Sequence, residues 1–191
     1  MKQILLCAAL GVAVCLAGCR GNRGAEGPGL DVMVPLVTAQ IGETLLGTPS
    51  RSLSTPVEPP ILGAEGRNQV VLAADEAAFV AILGEGARVQ DVRAVVGKVS
   101  GELNKTLRRR KLTSVAVGFP PTCSDQDAAR TVLASVSPFT LETGGPDDKS
   151  KGKSQTLLMV RLALTNAKTG QSLAIREFYS GYTLLKPRAS R

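Results

Sequence analysis

Few side chains in this 191-residue chain are suited to chemistry: it has four cysteines, sixteen Asp and Glu, and no histidine. Without imidazole there is no general base of the commonest kind, no Ser-His-Asp arrangement and no usual zinc ligand. Carboxylates can perform acid–base work alone when two of them flank a substrate. Asp75, Glu76, Glu102, Glu142 and Glu177, however, fall at helix starts or on strands with no visible pairing, and Asp147-Asp148 sits in a polar stretch. Gly152-Lys153-Ser154 lacks the glycine five positions earlier that a phosphate loop requires, since position 147 is Asp, and a strand rather than a helix follows it. Ser150-Lys151-Gly152-Lys153 has a Ser-x-x-Lys spacing, but it lies in a loop without a Ser-Asp-Asn partner, and Lys168-Thr169-Gly170 falls in a turn. With no Trp, four Phe and two Tyr, a ring platform for stacking sugars or bases is hard to build. The expectation is a protein that is not an enzyme and uses no cofactor or metal.

The thiols are more informative. Lys2 precedes an apolar run from Ile4 to Leu16, and Leu16-Ala17-Gly18 leads into Cys19. A charged start, an apolar middle and small residues at a cut are the layout of a secretory signal peptide. The run is shorter than the roughly 20 apolar residues of a membrane span. A buried helix and a plain signal-peptidase site are the rival readings. Leu16-Ala17-Gly18-Cys19 resembles the lipobox of bacterial lipoproteins. That resemblance covers residues 1–19 and implies cleavage between Gly18 and Cys19, acylation of Cys19 (palmitate among the chains), and a mature protein held at a membrane by its first residue. In proteobacterial lipoproteins an Asp after the cysteine retains the protein in the inner membrane. Arg20 departs from that pattern, which implies delivery to the outer membrane, facing the periplasm.

A cut before Cys19 leaves 173 of the 191 residues and, with Lys2 gone, a formal charge of +6 in place of +7. That length suffices for one domain and a linker. An exported location argues against nucleic acid as the counter-charge and for anionic headgroups, lipopolysaccharide or wall carboxylates, with plain solubility as the alternative. Cys7 and Cys15 leave with the signal, so Cys123 stands alone in the domain and forms no internal disulfide. A buried, inert thiol is expected there.

Residues 20–29 read as a Gly-rich tether and 48–66, with Pro49, Pro56, Pro59 and Pro60, as an extended linker. Between them, residues 30–47 are apolar enough to pack, but Pro35 argues for a short strand and a helical turn. A strand is expected over 69–73 and a helix beginning at Asp75-Glu76 and ending by Gly84. Over 89–110, Val92, Val95, Val96, Val99, Leu103 and Leu107 make one apolar stripe on a long helix. Lys105, Arg108, Arg109, Arg110 and Lys111 close it. They are the candidate contact for an anionic surface, or else a solvated helix end that suits the helix dipole. Asn104-Lys105-Thr106 matches a glycosylation sequon but falls mid-helix. A strand over 114–119 is followed by a predicted helix capped by Ser124 and running through Val132 and Leu133. Strands over 139–143, 157–165 and 172–179 complete the chain. The second is apolar on both faces and therefore central, and Asn166-Ala167-Lys168-Thr169-Gly170 is its hairpin turn.

The order predicts an α+β class: a mainly antiparallel sheet of four to five strands with two to three helices. The domains are then 1–18 (signal peptide), 19–66 (lipidated N-terminus and tether) and 67–187 (one domain). The run LLMVRLALTNAKTGQSLAIREFYSGY at 157–182, and Leu107 to Leu112 before Ser114-Val115-Ala116-Val117, resemble small periplasmic lipoprotein domains related to penicillin-binding-protein activators and the curli secretion lipoprotein. The chain lacks the amphipathic pore strands of the latter, and no functional residue carries over. The expected function is a non-enzymatic envelope lipoprotein that binds or helps assemble another envelope component by surface complementarity, an exposed strand edge included. The membrane (through Cys19) and an envelope protein are its expected partners. The alternative is a lipid or glycolipid carrier with an apolar cleft between sheet and long helix. A histidine-free hydrolase ranks last.

Overall fold

A computed structural model describes residues 29–47, 59–84, 86–143 and 155–184. Gly18, Cys19, Asp147, Asp148 and the Ser150–Ser154 motifs lie outside the described residues. The described elements are α1 (Met33–Leu46), β1 (Gln69–Ala74), α2 (Glu76–Leu83), α3 (Val89–Leu107), β2 (Thr113–Ala116), β3 (Thr131–Thr143), β4 (Gln155–Asn166) and β5 (Ser172–Leu184). The strands form one sheet in the order β2-β1-β3-β4-β5. β1 is parallel to both β2 and β3, while the longer β3–β4 and β4–β5 ladders are antiparallel. The α+β, mainly antiparallel architecture is the observed one.

Alternation along the strands builds the core. Val70, Leu72 and Ala74 share a face with Val132, Ala134 and Val136 of β3 and Leu158, Val160, Leu162 and Leu164 of β4. All ten are buried beneath Met33, Val37, Ile41 and Leu45 of α1, Phe79 of α2, and Val92, Val99, Leu103 and Leu107 of α3. The predicted α3 stripe is therefore the inner face of that helix. Asp91 accepts the Arg88 backbone N–H at 3.1 Å and holds its first turn. Asp75 accepts the Ala78 N–H at 3.0 Å and caps α2, as its position before an apolar run suggests.

Three sequence expectations are corrected. The first concerns the tether: Leu30, the inner stripe of α1 and Leu62 belong to the core, so the folded unit does not begin at Arg67. Pro35 does not break α1, because it occupies the first helical turn, where a backbone N–H has no partner inside the helix. The second concerns the helix expected from Ser124. Ser124 Oγ instead donates to Asp127 Oδ2 at 2.8 Å in a turn, and a single 3-10 turn, Ala128–Arg130, leads into β3. Val132 and Leu133 pair with Val70 and Val71 of β1, so β-ladder pairing overrides the local capping signal. The third concerns Cys123, which is half-buried rather than buried. β3 also runs unbroken through Pro138, which lies beyond the end of its pairing with β1, where a missing N–H costs no ladder bond.

Connections between parallel strands are right-handed. The β1-α2-α3-β2 crossover places the helices over one face. The return from β2 to β3 steps back past β1, so residues 117–130 pass over the other face. Val71 and Ala73 point to that face and are nonetheless only 4% and 0% exposed, as a covering segment requires. α3 is clamped to the outer edge of β2. The Asn104 amide donates to Ser114 O at 2.7 Å and accepts from Ser114 N at 2.8 Å, and the Ser100 and Ser114 hydroxyls are 2.9 Å apart. The sequon asparagine is thus a structural residue.

Two substitutions check this arrangement by chemical or thermal unfolding. Ile41→Ala should cost about 3 kcal/mol, the range for truncating a fully buried aliphatic; no loss would return residues 30–46 to the tether. Asn104→Ala bares the Ser114 N–H and C=O and should cost about 2 kcal/mol.

Candidate functional site

The sequence-selected carboxylates do not converge: Asp75 and Glu76 adjoin at the start of α2, while Glu102, Glu142 and Glu177 stand on α3, β3 and β5. Asp75 is a helix cap. Glu76 accepts from Arg93 Nε at 2.7 Å. Its hydrogen bond and charge raise the Arg93 guanidinium above its ordinary value. Glu102 bridges Lys105 at 2.6 Å, and Glu177 bridges Arg161 at 2.7 Å. Glu142 is exposed near the end of β3. Among the described residues no three His, Cys, Asp or Glu side chains gather where a metal ion could be held. Lys168-Thr169-Gly170 forms the β4–β5 turn. There the Asn166 side chain accepts from the N–H groups of Lys168 and Thr169, and Gly170 adopts a positive φ of 70° that glycine takes without strain.

The candidate anionic-surface residues are brought together. Lys105 is tied to Glu102. Arg108–Arg110 form a 3-10 turn continuing α3, and Lys111 turns the chain in the left-handed region at φ 60°. All five are exposed.

The space between sheet and α3, where an apolar cleft would admit a lipid, is almost filled. Met33, Ile41, Leu72, Phe79, Val99 and Val160 are among the walls of a cavity of about 30 Å³. Small-molecule sites start near 300 Å³, and an apolar void of this size stays empty.

A further accessible feature is the sheet face turned away from the helices. The 117–130 segment covers β1 there, but β4, β5 and the distal half of β3 have no second layer among the described residues. Across that face the register aligns Ser135, Ala163 and Ile175, then Ser137, Arg161 and Glu177, then Phe139, Met159 and Tyr179, then Leu141, Leu157 and Thr183. Ile175 is 58% exposed and Leu141 46%. The Arg161–Glu177 bridge interrupts this apolar field, and the Arg161 guanidinium lies 5.7 Å from the Phe139 ring centroid, within cation–π range. β5 also ends the sheet, and its outer edge has no strand partner among the described residues. The 157–165 run, apolar on both faces, is expected to be a central strand. β4 is central, with a neighbour on each side, and among the described residues one of its faces is covered. The charged pair at 161 and 177, set mid-strand in an otherwise apolar pattern, was the available signal.

No family model and no curated protein matches the sequence. Among solved structures the fold is similar to a chain described as a neuraminyllactose-binding hemagglutinin homolog from Helicobacter pylori. The likeness has 10% identity and a TM-score of 0.38, over 64% of this chain and 69% of that one. A likeness of that degree says nothing about what this chain binds. None of the described helices is both long and apolar enough to cross a membrane.

A pair of charge insertions separates the two faces of the sheet. Ile175→Asp should shift unfolding by no more than about 0.5 kcal/mol, as exposed substitutions do. Val160→Asp buries an unpaired charge and should abolish the folding transition. Equal effects in thermal melts would mean that the outer face is covered.

Proposed function

We propose that the protein is a non-enzymatic lipoprotein of the bacterial envelope. In this reading it is anchored through Cys19, is delivered to the outer membrane facing the periplasm, and engages another envelope component through its open sheet face. The uncovered apolar field around Arg161 and Glu177 carries this reading. A monomer gains nothing by exposing Ile175 and Leu141 beside half-buried Phe139, Met159 and Tyr179, whereas contiguous apolar surface with a polar centre is the make-up of a binding patch. The β5 edge offers backbone donors and acceptors next to it for strand addition. The filled core beneath α3 supports this reading over a lipid carrier, and the separation of the carboxylates supports it over a hydrolase.

Two experiments test the halves of the proposal. Cys19→Ala should abolish acyl labelling and release the full-length chain from membranes. Unchanged retention would refute the anchor. A photoreactive residue at position 175 should yield a discrete adduct in cells, and one at Gln90, exposed on α3, should not. Equal adducts from both positions would refute the face.

A further inference from the structure

Strand register fixes the rows of the open face: Ala163 stands beside Ile175, Arg161 beside Glu177 and Met159 beside Tyr179. Each row joins unlike neighbours across the β4–β5 ladder. Ile175 projects, 58% exposed, next to Ala163, which carries a single methyl. Arg161 and Glu177 are both exposed, with guanidinium and carboxylate 2.7 Å apart. Contacts between identical copies have one requirement: where residue i touches j, j must also touch i. A surface whose projection is matched by its own recess, and whose cation is matched by its own anion, meets it. The four rows hold one cation and one carboxylate, so they offer no net field to a charged polymer.

We infer that the occupant of this face is a second copy of the chain, seated face to face about a two-fold axis that runs along the strands between β4 and β5. This pairing rests on the reading of the face as a binding surface and names its partner. Packed sheets keep their strand directions within about 30° of each other, as such an axis does. Each β4 then lies over β5 of the second copy. Ile175 enters the space above Ala163 of the second copy, and the reverse contact forms at the same time. Arg161 meets Glu177 of the second copy while keeping its own. Met159 meets the Tyr179 ring of the second copy, a favourable sulfur–aromatic contact. Other axes lose these matches. An axis along β4 sets Arg161 on Arg161, and an axis along β5 sets Glu177 on Glu177. An axis across the strands through the ion-pair row again sets like charge on like, which is costly in an interface. The 117–130 segment does not obstruct the pair. β1, which it covers, lies two and a half interstrand steps from the axis, about 12 Å at 4.8 Å a step. That places it beyond β5 of the second copy, which is half a step from the axis. Four rows of two strands make a small interface beside the standard one, so the pair is weak and is read by covalent capture in cells.

Two differently tagged copies of the full chain, each with a photoreactive residue at position 175, are expressed together and irradiated. The adduct should have twice the mass of one chain and carry both tags. Arg161→Glu in both copies, or Glu177→Arg in both, sets like charges over each other and should lower the two-tag yield about tenfold. One copy of each variant, expressed together, should restore it, because every contact between the copies again joins opposite charges. Both positions are exposed, so the melting temperature of each variant should hold, and an unfolded variant could not be rescued by mixing. Unchanged yield in the single variants, or no recovery in the mixed pair, would overturn the two-fold contact. An adduct with a different protein would overturn self-pairing and leave the face as a binding surface. No adduct, or equal adducts from positions 175 and 90, would overturn the face and the pairing with it.

Discussion

Everything in this fold follows from placing β1 between two parallel neighbours. A strand in that position is covered on both faces, and Val70 through Ala74 are all buried. Handedness then leaves little freedom. The crossover to β2 must carry α2 and α3 over one face, and the return to β3 must pass over the other. The helices exhaust themselves on one side, and the returning segment reaches only as far as β1. The remaining outer face, formed by β4, β5 and the end of β3, has no covering layer among the described residues. The surface proposed for binding is thus what the topology leaves over.

The sequence was legible wherever local chemistry and tertiary packing agreed. The α3 stripe, the Asp75 cap and the Asn166–Gly170 turn each announce a geometry that the fold then uses. It was illegible where long-range pairing outweighed a local signal. Ser124 and Asp127 have helix-capping spacing, yet Val132 and Leu133 gain more by joining β1 than by continuing a helix. Pro35 reads as a breaker until its place in the first turn is known. The parallel pairing of β1 leaves no periodic mark, since a strand covered on both faces is simply apolar. Of the open face, the sequence disclosed only the charges at 161 and 177. Ile175 comes to stand beside Ala163 through strand register, which no local pattern encodes.

Charge is arranged along the molecule rather than scattered. Asp91 holds the first turn of α3 and arginines follow its last, in the sense that the helix dipole favours. Parallel strands starting at that same end add their own flanking cations. With no histidine in the chain, no imidazole titration modulates this polarity near neutral pH.

The clamp between Asn104 and Ser114 has a consequence for assembly. Strands can be added to a sheet at either border, and repeated addition at both makes fibres. On the β2 side the border is four residues long, and one of its two outward-facing backbone positions is already taken by a side-chain amide. Among the described residues, the β5 side is the freer border for growth. A sheet that can be extended in one direction only is a terminator: whatever adds there, including another copy of the same chain, completes a closed pair.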